Sequence, residues 1–118
     1  MKTRSLFAAL IACTFLLLAA ALAPYGIGDP VSDFKLKNFD GKMISLSDYS
    51  KSKGVNLIFD CNTCPYSKAY NDRIIALDKT YAERGFPVVT INSNRGQGES
   101  FRDMVSRAEG KNYSFPYL

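Results

Sequence analysis

Cys61 and Cys64 are separated by two residues in the stretch Phe59-Asp60-Cys61-Asn62-Thr63-Cys64-Pro65-Tyr66-Ser67. An apolar run, Val55 to Phe59, leads into it, and a helical pattern leaves it from about Pro65 to Arg84. Side chains at i and i+3 share a helix face, so two sulfurs so placed close a bond with little backbone movement. A helix N-terminus also offers unpaired N–H groups and partial positive charge, both of which favour a thiolate over a thiol. The chemistry this predicts is thiol–disulfide exchange. Cys61, expected nearest the helix N-terminus and the more exposed, attacks a substrate disulfide, and Cys64 resolves the mixed disulfide. An inert local disulfide is the bland alternative. Asp60, beside Cys61, should oppose a thiolate there or accept its proton. Pro65 suits a first helical turn. Lys68 either adds positive charge near the sulfurs or is simply solvated. Tyr66 and Tyr70 read as packing residues.

The chain has 118 residues, so it holds one domain at most. It has no histidine, which excludes a Ser-His-Asp triad, a Cys-His protease pair and any His-containing zinc site within it. Two cysteines beyond the first segment are too few for a structural Cys₄ zinc site. No cofactor or metal is therefore expected. The formal net charge is +4, with Lys2 and Arg4 near the start. No Lys/Arg stripe interleaves with aromatics, so nucleic acid is not an expected partner.

Residues 1–23 read as a signal peptide. Lys2 and Arg4 form the charged start, Leu6 to Leu18 the apolar core, and Ala19-Ala20-Ala21 a cleavage candidate. Leu6 to Ala23 is also just long enough for an uncleaved membrane anchor, and Leu10-Ile11-Ala12-Cys13 resembles a lipobox. Each reading exports the domain to the periplasm or beyond, where disulfides persist. Residues 24–32, with two glycines and two prolines, form a linker. The domain is expected over residues 33–118.

Within it, Asp33 to Lys37 alternates polar and apolar, Asp40-Gly41 signals a turn, and Met43 to Leu46 follows. This predicts a β-hairpin whose half-buried face carries Phe34 and Leu36. Residues 47–50 make a turn or short helical piece. Val55 to Phe59 predicts a strand buried on both faces. The next helix carries Tyr70, Ile74, Leu77 and Tyr81 as one apolar stripe and ends at Gly85. Pro87 to Asn92 is the following strand, giving a βαβ unit. Glu99 to Glu109 predicts a second helix with Phe101, Met104, Val105 and Ala108 inward. Phe115-Pro116-Tyr117-Leu118 opens a further apolar segment.

These features together resemble the thioredoxin-fold redoxins, the AhpC/TSA and TlpA-like branch of secreted thioredoxin-family proteins. The resembling residues are Gly28-Asp29, Asp33-Phe34-x-Leu36, Asp40-Gly41-Lys42, Ser45-Leu46-x-Asp48-Tyr49, Cys61-x-x-Cys64-Pro65-Tyr66, Asp72 to Leu77 and Phe115 to Leu118. The resemblance covers residues 26–118. It implies an α/β thioredoxin-like fold, an N-terminal hairpin plus βαβα, and an extracytoplasmic thiol:disulfide oxidoreductase. Cys61 and Cys64 would be catalytic, with protein thiols and disulfides and an upstream redox partner as its company. Members commonly carry an aromatic where Asp60 stands. They also continue past the Phe-Pro-Tyr-Leu segment into further strands and helices, so a partial domain with an open sheet edge is expected. The resemblance leaves competing readings. One is a peroxiredoxin-like hydroperoxide reductase, although the Pro-x-x-x-Thr-x-x-Cys pattern is missing. Another is a Sco-like copper chaperone, although the cysteine spacing is one residue short. The third is an inactive fragment.

Overall fold

A computed structural model describes residues 25–118. The signal peptide or anchor expected over residues 1–23 lies outside the described residues. Among those described, no helix is long and apolar enough to cross a membrane. The chain divides into two units, Met1–Ser32 and Asp33–Leu118. In the described part of the first, the Gly26 N–H donates to Asp29 Oδ2 (2.6 Å) around a turn.

The second unit opens with strands β1 (Lys35–Lys37) and β2 (Met43–Ser45), antiparallel, with Leu36 opposite Ile44. Gly41 takes φ 86° in the connecting turn, and its N–H donates to the Asn38 carbonyl at 2.8 Å. That left-handed backbone is what the Asp-Gly pair foretells. The expected half-buried face is only partly realised. Phe34 is half-buried, but Leu36 is exposed, because no other element covers the middle of this two-stranded ribbon. A single 3₁₀ turn, Leu46–Tyr49, follows where a short helical piece is expected.

Strand β3 (Asn56–Phe59), helix α1 (Pro65–Tyr81) and strand β4 (Val88–Ile91) make the βαβ unit, and β3 and β4 pair in parallel. A 3₁₀ turn, Ala82–Arg84, and Gly85 at φ 93° end the helical stretch. β4 is the buried strand: Val88, Val89 and Thr90 are fully enclosed. On its far side the C-terminal residues run parallel to it. The Thr90 N–H donates to the Pro116 carbonyl (2.9 Å), and the Leu118 N–H donates to the Thr90 carbonyl (2.9 Å). β3 departs from its expectation. It is half-buried rather than enclosed, and Phe59 is 70% exposed. The reason is topological, because among the described residues β3 has a paired strand on one side only.

Helix α2 (Phe101–Gly110) starts at Ser100, whose hydroxyl accepts from the Asp103 N–H while the Asp103 carboxylate accepts from the Ser100 N–H. This reciprocal cap satisfies two otherwise orphaned donors. Met104 and Ala108 pack with Tyr117 into a small core, flanked by Phe39 and Tyr113. Phe101, expected inward, is exposed, and its ring lies 4.4 Å beneath the Lys37 ammonium. The α1 stripe differs too. Ile74 and Leu77 are half-buried, Tyr70 and Tyr81 are exposed, and the enclosed residues of the helix are Asn71 and Asp78.

Candidate active site

The loop between β3 and α1 carries both cysteines, and three distant segments hold it. The Asp60 N–H completes the β3 ladder by donating to the Ile91 carbonyl at 3.0 Å. Beyond it the loop leaves the sheet, and its free N–H groups turn to one carboxylate. Glu99 accepts from the N–H of Asn62 (2.8 Å), the N–H of Thr63 (2.9 Å), the Thr63 hydroxyl (2.5 Å) and the Asn92 amide (2.8 Å). Desolvation pushes the Glu99 carboxyl upward, but the Thr63 hydroxyl and the other donors outweigh it and hold it down at about 2. The Asn62 side chain is fixed at both ends. Its amide donates to the Gly98 carbonyl (3.0 Å) and its oxygen accepts from the Tyr117 hydroxyl (2.8 Å). Gly98 is needed there: it sits at φ 81°, and a Cβ on it would lie 2.8 Å from Thr63 Cγ2.

Both thiols are free. The structure brings the expected pair together but reverses their surroundings. Cys61, expected to be the exposed sulfur at the helix start, is buried, with 7% of its surface accessible. Its Sγ lies 3.3 Å from Ser67 Oγ, and its N–H donates to the same oxygen at 3.3 Å. Cys64 is the N-cap of α1 and is only half-buried. The cause is Pro65. Its ring fixes the first helical position, so the residue before it becomes the cap. The Cys64 side chain makes no capping hydrogen bond, but the N–H groups of Ser67 and Tyr66 at the start of α1 hold its thiol below the ordinary cysteine value against some desolvation, with smaller help from the Cys61 and Ser67 side chains.

Beneath the loop lies Arg107, a residue to which the sequence reading gives no role. Its guanidinium donates to the Cys61 carbonyl, to Asp60 Oδ2 (3.0 Å) and to Asn71 Oδ1 (3.4 Å), and its Nε–H donates to the Tyr113 hydroxyl (2.9 Å). The Arg107–Asp60 pair is almost dry, with 11% and 2% of the side chains accessible. Burial pulls the Arg107 pKa down, but the Asp60 carboxylate and then Tyr113 more than offset it and raise the guanidinium above its ordinary value. Asp60 thus has a compensating cation at Oδ2, while its buried Oδ1 has no hydrogen-bond partner. Tyr113 also donates to Asn71 Oδ1, which ties α2, the C-terminal segment and α1 together.

Among the described residues, no group of three or more His, Cys, Asp or Glu side chains is placed to hold a metal ion. Tyr66 and Tyr70 are exposed and line a groove with Ile58, Phe59, Ile74 and Leu77. Lys68 is exposed beside Asn62, Asn71, Arg107 and Lys111.

The AhpC/TSA family model matches residues 27–118. The chain belongs to the AhpC/TSA family. Its fold is thioredoxin-like and its solved relatives agree. A hypothetical protein from Sinorhizobium meliloti is 27% identical, with a TM-score of 0.75 over 81% of this chain and 54% of its own. An uncharacterized conserved protein from Geobacillus kaustophilus is 33% identical, with a TM-score of 0.74 over 80% of this chain and 52% of its own. The exposed lipoprotein thioredoxin of Streptococcus pneumoniae is 31% identical, with a TM-score of 0.60 over 74% of this chain and 64% of its own. The AhpC/TSA chain described here thus spans about half the length of the first two. No functionally curated protein matches it.

Proposed function

We propose that this AhpC/TSA protein is an extracytoplasmic thiol:disulfide oxidoreductase whose Cys61–Cys64 dithiol exchanges with protein disulfides. The observation that carries the reading is the Cys64 sulfur, half-exposed at the N-terminus of α1 with Cys61 next to it. The same geometry favours Cys64 as the attacking sulfur and Cys61 as the resolving one, the reverse of the order expected from sequence. The Cys64 thiolate attacks one sulfur of the substrate disulfide. The substrate S–S bond breaks, a Cys64–substrate bond forms, and the departing thiolate takes a proton from water. Cys61 then gives up its proton and attacks Cys64 Sγ. The second substrate thiolate leaves, the protein has lost two electrons as a Cys61–Cys64 disulfide, and the substrate has gained them. An upstream dithiol resets the pair, and the steps run backwards oxidise a substrate. Export rests on residues 1–23 and is supported by the exposed lipoprotein among the relatives.

A hydroperoxide reductase is the second reading, since a thiolate at a helix start also suits attack on a peroxide oxygen to give a sulfenic acid. Measuring insulin disulfide reduction and peroxide consumption on one sample of the full chain separates the two. The exchange reading expects turnover of the disulfide and little of the peroxide, with Cys61→Ser and Cys64→Ser each abolishing turnover. Peroxide consumption without disulfide reduction would sink it.

A further inference from the structure

A second concavity opens beside the dithiol, away from the apolar groove. It has a volume of 360 Å³ and is lined by Asn62, Lys68, Asn71, Arg107 and Lys111. That is three cations, two amides and no carboxylate. Asn62 stands between the two cysteines in the chain, and Arg107 donates to the Cys61 carbonyl, so the lining of the concavity adjoins the cysteine loop. Its floor is already satisfied. Arg107 is paired with Asp60, Asn62 is held by Gly98 and Tyr117, and Asn71 accepts from Tyr113. The two walls are not. Lys68 comes from α1 and Lys111 from the end of α2, both are exposed, and among the described residues neither pairs with a carboxylate. The nearby Glu99 carboxylate makes its hydrogen bonds to the loop and to Asn92 and forms no ion pair with either lysine. Two unpaired lysines, one on α1 and one at the end of α2, lining one concavity of small-ligand size form a site for an anion.

We infer that this concavity is a carboxylate subsite of the dithiol, selecting disulfides that carry an acidic group beside the reacting cysteine. The inference rests on the exchange reading above and names its substrate class. A carboxylate seated between Lys68 and Lys111 holds the neighbouring disulfide over the Cys64 sulfur. It thus acts on binding before the S–S bond is attacked.

The test compares two cyclic peptide disulfides that differ only in Glu or Gln next to each cysteine, with a small dicarboxylate disulfide as a third substrate. Initial rates are measured on the full chain at low and high salt. Each exposed lysine–carboxylate pair is expected to contribute roughly two- to fivefold, so the acidic peptide should be preferred by about fivefold or more, mainly through KM. The preference should shrink at ~0.5 M salt, where screening is strong. It should fall close to unity in Lys68→Gln/Lys111→Gln and persist in Lys79→Gln. Preference for the small dicarboxylate as well extends the subsite to free carboxylates and supports the inference. Equal rates for Glu and Gln peptides, or a preference surviving in the double variant, overturn it. If no peptide is exchanged at all, the exchange reading fails. Calorimetric binding of the Glu and Gln peptides with serine replacing cysteine then still decides the subsite.

Discussion

Helix α1 has two unlike flanks. Toward α2 and the C-terminal segment it presents Asn71 and Asp78, both buried and both bonded. Asn71 meets Arg107 and Tyr113, while Asp78 accepts from the Val88 N–H (3.2 Å) and the Ser114 hydroxyl (2.8 Å). Toward the edge of β3 that has no paired strand among the described residues it presents Tyr70, Ile74 and Leu77, which with Ile58, Phe59 and Tyr66 line an open groove of 460 Å³. The closed flank is polar and the open flank is apolar. Apolar area contributes only when something removes it from water, whereas a buried polar network positions what it touches. Both flanks reach the cysteine loop, the open one through Asp60 and Ser67, but the hydrogen bonds that hold the loop from distant segments come from Glu99, Arg107 and Tyr117 rather than from the apolar stripe.

The largest way to break this contrast is Arg107→Met. It leaves Asp60 buried without its cation, and about 3–5 kcal/mol should be lost in a denaturant titration. Adding Asp60→Asn should recover much of that loss, since the stranded charge goes with it. A loss below about 0.5 kcal/mol would mean that the pair does not hold the closed flank. Tyr117→Phe comes next. Removing the hydroxyl that donates to Asn62 should cost about 1 kcal/mol and speed amide exchange at Asn62 and Thr63. Unchanged exchange there would detach the C-terminal segment from the loop.

Glu99 sharpens the contrast through pH. Its carboxyl titrates at about 2 in the folded chain, below the ordinary 4.5. The folded state therefore binds this proton less readily than the unfolded state. The stability it contributes is present above pH 4.5 and is lost as pH falls from there toward 2. Glu99→Gln should remove that part of the acid dependence, so the unfolding midpoints of variant and parent differ at pH 7 and converge as pH falls toward 2; midpoints that stay parallel would contradict it. The smallest effect is expected on the open flank. Phe59→Thr or Tyr70→Ser should change stability by no more than about 0.5 kcal/mol, because both side chains are already wet. Either should reduce self-association in sedimentation, since the open edge and groove then offer less apolar surface.

Much of the architecture was legible because it is local. Val55 to Phe59, the helical period after Pro65 and Pro87 to Asn92 announce a βαβ unit, and Asp40-Gly41 announces its turn. What pattern reading missed is where polar side chains go. Asn71 and Asp78 are seven residues apart and share a face, but counting apolar positions passes over them. Arg107 stands three residues after Met104 and next to Ala108, on the inward side of α2, where an apolar count passes over a charged residue. The Glu99 contacts span 36 residues, a distance no local period encodes. The burial of the two cysteines is a different case, since its signal is local: proline at the first helical position makes Cys64 the cap, whereas the expectation sets Cys61 nearest the helix start.

Trapping the mixed disulfide tests the central claim most directly. Cys61→Ser and Cys64→Ser variants of the full chain are mixed with a peptide disulfide at pH 7, and the adducts are followed by mass. The account predicts rapid accumulation of a stable adduct on Cys64 in Cys61→Ser, with slow adduct formation in Cys64→Ser. Faster trapping on Cys61 would contradict the assignment of Cys64 as the attacking sulfur.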